Sequence, residues 1–443
     1  MVSMRTFQNL YCKKLFACLV SLSLVSSVTA QLRVEIRRGV ERPVPMAIVP
    51  FSWEGLGTVS PFNVSGLVTE DLGQSGRFAP MDVRDMVSLP SLPEDVRFQD
   101  WQIVEVDYLV IGRVIEDTFD AYTIVFQLYD VLRGEPIVGY RLTASGAELR
   151  TASHRISDMI YEELTGLPGV FGTSIAYVSE QQENNETRFR LIVSDADGAN
   201  PIVVADSPEP LMSPAWSPDG RRIAYVSFEG AQSSIYIQTL RTGDRERVSA
   251  RAGINGAPVF SPDGTRLALT LSRSEGNSDI YMLELATQVL TRLTQHSAID
   301  TEAVWAPDGE SIYFTSGRAG GPQIYQVAAM AGARAQRVTF EGSYNARPRI
   351  SPGGDRLAVV HEDRGNYRIA LVDPDTGLTQ ILSTGQQDES PSFAPNGALI
   401  IYATQEGGRG VLASVSTDGR IHQQIVSVAG QVREPAWSPF PRI

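Results

Sequence analysis

Side chains able to do covalent chemistry are scarce in this chain of 443 residues. The sequence contains neither a Gly-x-Ser-x-Gly nucleophile elbow nor a glycine-rich dinucleotide fingerprint. The only lysines are Lys13 and Lys14, which excludes a Schiff base and a phosphate-loop lysine from the rest of the chain. The four histidines show no metal-ligand spacing to one another: His154, His296, His361 and His422. The sequence therefore predicts no catalytic residue, no metal site and no cofactor.

Two close pairs of carboxylates remain as candidates for chemistry, Asp300 with Glu302 and Asp388 with Glu389. Such pairs can bind a cation or assist acid–base catalysis. They are also common on acidic surfaces, and this chain carries 51 acidic against 38 basic residues, a net charge of −13. We therefore interpret both pairs as a solvated acidic rim. The same charge balance excludes a basic surface for nucleic acid.

A repeat of about 44 residues in the second half of the chain would position these side chains. Its marker is the motif Trp-Ser-Pro-Asp-Gly at 216–220, in which Pro presets a turn and Gly supplies a left-handed residue. The fourth copy has Gly353 in place of Asp, and the sixth ends in Phe440. The later copies start at Phe260, Trp305, Ile350, Phe393 and Trp437. Four short strands per repeat are typical of a β-propeller blade.

The repeats predict an all-β six-bladed β-propeller over residues 173–443. The inner strands end at the motif, for example at 214–216 and 258–260, but the strand Ile175–Val178 has no inner strand ahead of it. We therefore expect the C-terminal strand ending at Trp437 to pair with the first blade and close the ring. Because strands in a blade are antiparallel, the connections into the inner strands converge on one mouth, opposite the turn motifs. These connections vary in sequence, as binding loops do.

Residues 44–165 lack the repeat and mix helical with strand patterns, which predicts a small α/β domain. A junction at 166–172, which contains Pro168, leads from this domain into the propeller. The expected strands are Met46–Val49 and Asp107–Ile115, the helices Phe62–Gln74 and Leu149–Leu164, and the hairpin strands Tyr122–Val131 and Ile137–Thr143.

Residues 1–30 have the pattern of a cleaved export signal. A basic stretch ending at Lys14 precedes an uncharged run, Leu15–Ala30, which closes in a small-x-small cleavage site. A membrane anchor is one alternative, but the run is short and rich in serine. Lipidation at Cys18 is another, although the apolar run continues well past that residue. Cleavage after Ala30 would remove both cysteines of the chain, so the mature protein would fold without disulfides.

Residues 31–43 follow the cleavage site and are expected to be a mobile, partner-binding peptide. Within them, Gln31–Val40 alternates apolar and charged residues, the pattern of a half-buried edge strand. Such a strand can pair with its own domain, or it can add to the edge of a partner's β-sheet. The sequence leaves both interpretations open.

The export signal, the α/β domain and the six repeats together resemble the TolB family, the periplasmic component of the Tol-Pal system of Gram-negative bacteria. The resemblance covers essentially the whole mature chain. The turn motif alone is weak evidence for this family, because serine peptidases and other propellers share it. The more specific motifs lie at Val49–Phe51, Gly112–Val114, Glu163–Gly166, Asn255–Gly264, Thr301–Glu302 and Pro435–Pro439.

This resemblance implies a non-enzymatic, monomeric adaptor of the periplasm that supports outer-membrane integrity and constriction during cell division. It implies two protein partners, no nucleic acid, no cofactor, and attachment to the outer membrane only through the first partner. That partner is the lipoprotein Pal, whose surface on the propeller mouth would comprise Asn255, Ala257, Thr301, Glu302, Asn345, Arg347 and Glu389. The second is the C-terminal periplasmic domain of TolA, whose binding peptide would comprise Gln31, Leu32, Arg33, Val34, Glu35, Ile36, Arg37, Arg38, Gly39 and Val40.

Two other classes of protein remain as alternatives: an exported propeller hydrolase or lyase that uses the rim carboxylates, and a carbohydrate-binding module. Neither class explains the alternating N-terminal segment. If this segment either docks on its own protein or is free for TolA, any effect of Pal on docking must change the affinity for TolA. We hypothesise that Pal favours the docked peptide.

Overall fold

The computed structural model describes residues 32–38, 42–230, 232–272, 277–427 and 430–441. The predicted export signal at 1–30 lies outside the described residues, as do Gln31, Gly39 and Val40 of the predicted TolA peptide. The described chain forms an α/β domain followed by a six-bladed propeller, as the sequence predicts. One further strand, β1 (Leu32–Arg38), precedes the α/β domain.

The α/β domain is built on one mixed sheet with the strand order β4-β2-β5-β6-β7, and β3 pairs with β5. Helices α1 and α3 pack on one face of this sheet, whereas α2, through its buried Trp101, packs on the other. In chain order the elements are β2 (Val44–Ile48), β3 (Ser52–Glu54), α1 (Val64–Gln74), β4 (Phe78–Pro80), α2 (Phe98–Ile103), β5 (Tyr108–Thr118), β6 (Ala121–Asp130), β7 (Glu135–Ser145) and α3 (Leu149–Thr165).

The sequence patterns do not predict β3, β4 and α2, because elements of three to six residues are too short to show a period. Helix α1 begins at Val64 rather than at Phe62, since Asn63 caps it: the Asn63 Oδ1 accepts a hydrogen bond from the Gly66 amide at 3.0 Å. Helix α3 ends where Gly166 adopts a left-handed φ of 72°.

Each propeller blade is a four-stranded antiparallel sheet, and β1 adds a fifth strand to the sixth blade. From the inner strand outwards, the first three blades are β31 (Gln431–Trp437), β8 (Ser174–Glu183), β9 (Glu186–Asp195), β10 (Ile202–Ser207); β11 (Leu211–Trp216), β12 (Arg222–Ser227), β13 (Ser234–Thr239), β14 (Arg245–Ser249); and β15 (Asn255–Phe260), β16 (Arg266–Ser272), β17 (Ser278–Glu284), β18 (Leu290–Arg292). The other three are β19 (Asp300–Trp305), β20 (Ser311–Ser316), β21 (Gln323–Ala328), β22 (Gln336–Arg337); β23 (Asn345–Ile350), β24 (Leu357–Asp363), β25 (Asn366–Val372), β26 (Thr379–Ile381); and β27 (Glu389–Phe393), β28 (Leu399–Glu406), β29 (Arg409–Ser416), β30 (His422–Ser427).

The repeated motif forms the turn between the inner strand and the second strand of a blade. In the second blade, the Ser217 hydroxyl accepts a hydrogen bond from the Arg222 amide at 2.9 Å, and Gly220 has a left-handed φ of 69°. The Trp216 indole N–H donates to the carbonyl of Ala436 in the neighbouring blade at 2.9 Å. The motif therefore both reverses the chain and joins adjacent blades.

The last strand of the chain completes the first blade. Strand β31 pairs antiparallel with β8. Beyond this pairing, the Trp437 indole N–H donates to the Thr173 hydroxyl at 2.8 Å, and the Ser438 amide donates to the carbonyl of Ser174 at 2.9 Å. The two ends of the propeller sequence are thus held in one sheet.

Candidate partner-binding sites

The inner strands are longer than the sequence pattern indicates. They begin, for example, at Leu211 instead of residue 214 and at Asn255 instead of residue 258. The alternation of residue types does not predict the extra length, because each inner strand carries a bulge, at which its register with the second strand shifts. Residues that the sequence assigns to connecting loops are therefore held in the sheet.

The bulge places one residue of each inner strand in the left-handed backbone region. We call these six residues the bulge ring; none of them is glycine, and their φ angles lie between 44° and 55°. All six line one axial cavity of about 260 Å³. A left-handed backbone is unfavourable for a residue with a side chain and is common at functional sites. The bulge ring consists of Ser213, Ala257, Glu302, Arg347, Ser390 and Glu434.

Charged side chains of the mouth form a network centred on Arg347. Its Nε lies 2.8 Å from Oε1 of Glu302, and its Nη1 lies 3.7 Å from Oε2 of Glu389. The Arg347 guanidinium also donates to the Ser390 hydroxyl. Burial alone would lower the pKa of Arg347, but the surrounding glutamates outweigh burial and raise it. The Glu389 side chain is 49% exposed, so the network ends in a carboxylate that a partner can reach.

Two residues of the predicted Pal surface, Asn255 and Asn345, are fully buried in this structure. The Asn255 Oδ1 accepts hydrogen bonds from the Ser249 hydroxyl at 2.7 Å and from the Arg251 amide at 3.0 Å. The Asn345 Oδ1 lies 2.9 Å from Nδ1 of His361. These side chains hold the start of the inner strands in place and are not presented at the surface of the mouth.

The interpretation of both carboxylate pairs as a solvated rim is wrong for Asp300 and Asp388, which are 0% and 1% exposed. Asp300 pairs with Arg318 at 2.6 Å. Asp388 accepts hydrogen bonds from the Gly385 amide at 3.0 Å and from the Thr404 hydroxyl at 2.5 Å, and burial raises its pKa. Asp300 begins β19 and Asp388 immediately precedes β27, and both side chains are buried, a direction that the residue type alone does not reveal.

The mouth also exposes apolar side chains. Ile254 and Ile299, which immediately precede two inner strands, are 53% and 57% exposed. Their exposure cannot be predicted from the sequence, because a lone apolar residue in a polar loop forms no pattern. Apolar side chains beside an accessible charged network are typical of protein-binding surfaces. A cleft of about 600 Å³ continues the mouth along the rim and is lined in part by Tyr344, Tyr367, Glu389 and Arg433.

The N-terminal strand β1 is docked on the outer strand of the sixth blade. It pairs antiparallel with β30, with Leu32 opposite Ser427 and Ile36 opposite Gln423. The strand therefore pairs with the propeller and not with the α/β domain that follows it in sequence. Gln423 also donates from its side chain to the carbonyl of Gln74 at the end of α1. The docked strand thus lies where the two domains meet.

Buried charges join the two domains at the same boundary. Nδ1 of His154 in α3 lies 2.8 Å from Oδ2 of Asp71 in α1. Its Nε2 lies 3.9 Å from Oδ2 of Asp197, in the turn between β9 and β10 of the propeller. Arg150 pairs with Asp195 at 3.0 Å and also with Asp197.

The group Asp71, His154 and Asp197 has the ligand types of a metal site. However, Asp71 already engages one ring nitrogen of His154, and Arg150 already pairs with Asp197. The arrangement therefore fits a network of hydrogen-bonded ion pairs better than a metal site. Sequence patterns do not predict this network, because its members come from α1, α3 and a propeller turn, which no spacing rule connects.

Comparison with known families matches residues 161–441 to the TolB beta propeller domain and residues 32–137 to the TolB amino-terminal domain. The chain belongs to the TolB family. It is 48% identical to the Tol-Pal system protein TolB of Xanthomonas euvesicatoria pv. vesicatoria (strain 85-10), over 96% of this chain and 97% of the relative. Identity and coverage are the same for the protein of that name in Xanthomonas campestris pv. campestris (strain B100). The crystal structure of TolB from Acinetobacter baumannii matches with a TM-score of 0.85 and 41% identity, over 92% of this chain and 100% of that chain.

Membership of the TolB family confirms the resemblance seen in the sequence. This TolB chain is therefore a non-enzymatic β-propeller protein of the Tol-Pal system. The alternative of an exported hydrolase or lyase is set aside on the same ground. In the described ranges, no helix has both the length and the apolar character needed to cross a membrane.

Proposed function

We propose that this TolB chain is a periplasmic adaptor that binds Pal at the propeller mouth and TolA through its N-terminal strand. In this role it is monomeric by itself, reaches the outer membrane only through Pal, and supports outer-membrane integrity and constriction during cell division. The observation that carries the proposal is the mouth, where an accessible Arg–Glu network centred on Arg347 of the bulge ring occurs together with exposed isoleucines.

The proposed Pal surface divides into contact residues and positioning residues. Glu389 is the most exposed charge of the network, and Ile254 and Ile299 add apolar area on other blades of the same mouth. Asn255 and Asn345 act through the backbone that their side chains hold. The contact residues within the predicted set are Ala257, Thr301, Glu302, Arg347 and Glu389.

The proposed TolA site is β1 itself, released from β30 and added to the edge of a TolA sheet. The backbone N–H and C=O groups of an extended strand can form hydrogen bonds with β30 or, equally, with the edge strand of a TolA sheet. The exchange replaces one set of such bonds by another, so the backbone hydrogen bonds contribute little to the free-energy difference between the two states. A modest effect of Pal on the docked state can then shift the balance between them.

Arg347→Glu is expected to weaken Pal binding about 30-fold, the loss typical of an interface hot spot. The substitution removes the cation that lies between Glu302 and Glu389 and leaves the mouth strongly acidic. Calorimetric titration of Pal into the mature protein measures this loss. Arg241→Glu, on an exposed turn of the opposite face, makes the same change in charge and should leave the affinity unchanged. Equal Pal affinities for wild type and Arg347→Glu would reject the mouth as the Pal site.

Saturating Pal is expected to weaken the binding of TolA about fivefold or more, because Pal favours docked β1. Linkage requires TolA to weaken Pal binding by the same factor. Calorimetry with the C-terminal periplasmic domain of TolA, with and without Pal, tests both directions. Deletion of residues 31–43 should abolish TolA binding while Pal still binds. TolA affinities that do not respond to Pal would rule out the coupling.

A further inference from the structure

Strand β7 leaves a long sheet edge unpaired. It spans 11 residues, Glu135–Ser145, and pairs only with β6 among the described strands. The other strands at sheet edges in the described part of the chain have at most seven residues. An unpaired edge presents a row of free backbone N–H and C=O groups, and proteins usually shorten or cover such edges. A free edge of this length is therefore a candidate for pairing with another chain.

Helix α3 runs beside this edge and makes it one wall of a groove of about 500 Å³. Tyr140, Leu142 and Ala144 contribute from β7, and Met159 contributes from α3. Tyr140 packs against Phe126 with ring centroids 5.9 Å apart, yet the Tyr140 residue remains 43% exposed. A groove between an edge strand and a helix is the arrangement that accepts an extended peptide by strand addition.

The groove is basic on a chain that is acidic overall. Arg141 and Arg155 line it, and neither has a carboxylate within 4.0 Å in the described parts of the chain. The lining contains one acid, Glu148, whose Oε2 accepts hydrogen bonds from the Ser145 amide at 3.0 Å and hydroxyl at 2.8 Å, so two arginines face one glutamate in the groove. The two arginines are therefore available to negative groups of a partner.

We propose that the groove between β7 and α3 binds an extended, acidic peptide of a protein partner, which adds to β7 as a further strand. Backbone groups of β7 would supply the affinity, Tyr140 and Leu142 would contact apolar side chains of the peptide, and Arg141 and Arg155 would select acidic ones. This surface is separate from the mouth and from β30, so it adds a partner site to those of the proposed function.

The positive charges of the groove argue against two other possible occupants, a second copy of this chain and its own N-terminal segment. A second copy pairing through β7 about a two-fold axis would bring both Arg141 side chains close to each other, and like charges opposed across strands are unfavourable. The N-terminal segment of this chain carries Arg33, Arg37 and Arg38, and its strand β1 is already paired with β30. An acidic strand from another protein is the occupant that the groove matches.

The test uses the mature protein and two labelled octapeptides, one alternating valine with glutamate and the other alternating valine with lysine. Fluorescence anisotropy is expected to show binding of the glutamate peptide below about 1 mM and at least tenfold weaker binding of the lysine peptide. Arg141→Glu combined with Arg155→Glu should weaken binding of the glutamate peptide at least tenfold. The matched control, Arg241→Glu combined with Arg334→Glu, changes the net charge equally on exposed propeller turns and should leave binding unchanged.

Hydrogen exchange locates the bound peptide. Slower exchange confined to the amides of β7, on addition of the glutamate peptide, would support the proposal. Protection at β30 or at another blade edge would overturn it, as would equal binding of the two peptides or no binding below about 1 mM. A dimer of the wild-type protein that protects β7 without added peptide would assign the edge to a second copy instead.

Discussion

Deleting residues 431–443 is expected to abolish cooperative thermal unfolding of the propeller. The deletion removes β31, including Val432, which is fully buried, and Trp437, which is 9% exposed. Loss of a buried tryptophan alone costs about 3–5 kcal/mol. A whole domain is stable by only about 5–15 kcal/mol. Without β31 the inner edge of β8 is also left unpaired, so the ring has no strand with which to close.

Calorimetric melting of the deletion variant tests this expectation. The matched control is deletion of residues 440–443 only, which retains all of β31 and should melt within a few degrees of the wild type. The milder variant Trp437→Ala should lie between the two, because it keeps the strand but loses the hydrogen bond to Thr173. A wild-type melting temperature for the longer deletion would show that the propeller does not depend on β31.

His154→Ala is expected to lower the unfolding free energy by about 3–5 kcal/mol, the usual effect of removing one partner of a buried ion pair. Asp71 is 2% exposed and, among its side-chain partners in the described residues, would keep only the hydroxyl of Ser157, at 2.7 Å. Urea unfolding measures the change. His296→Ala, at an exposed histidine, should change the unfolding free energy by less than about 0.5 kcal/mol. A similarly small effect of His154→Ala would contradict the assigned ion pair.

The same group should make stability depend on pH. Burial alone would lower the pKa of His154, but the hydrogen bond and charge of Asp71 and the charge of Asp197 raise it. Since the raised pKa belongs to the folded state, this stabilisation is complete below about pH 6.5. It is lost as the pH rises through the folded-state pKa, so the wild type should lose stability on the alkaline side of pH 6.5, and His154→Ala should not.

Asp158 adds a second pH effect in a different range. It accepts hydrogen bonds from the amides of Phe171 at 2.8 Å and Gly172 at 3.2 Å, in the junction between the domains. Burial nevertheless raises its pKa to about 6. Ionisation of Asp158 in the folded state therefore costs stability from about pH 4 upward, and the cost is complete above about pH 6. Unfolding measured above pH 6.5 thus separates the effect of His154 from that of Asp158.

The sequence predicts the architecture well because the propeller is repetitive. A motif that recurs six times, from Trp216 to Trp437, marks the end of every inner strand, and the number of copies gives the number of blades. The two long helices and the hairpin of the α/β domain are also predictable, since each spans enough residues for a period to appear. Errors at their ends come from single caps such as Asn63.

The candidate sites are less predictable because they depend on side-chain direction and on contacts between distant segments. Asn255 lies five residues before the motif at Phe260 and Glu302 lies three residues before the motif at Trp305, yet one is buried and the other belongs to the bulge ring. Likewise, the pairing of β1 with β30 joins the two ends of the chain, and the network around His154 joins both domains. No local pattern records these contacts, so only the folded structure reveals them.

At the bulge ring, the backbone conformation of the mouth does not depend on which side chains the ring carries. Six equivalent backbone positions have nearly the same φ, although they carry serine, alanine, glutamate and arginine. The backbone therefore tolerates small, acidic and basic side chains at these positions alike. Substitutions there can change which partner surface is complementary, one residue at a time, while the fold is preserved. In evolutionary terms, a TolB propeller and its partner can diverge together between bacterial lineages without any rearrangement of the blades.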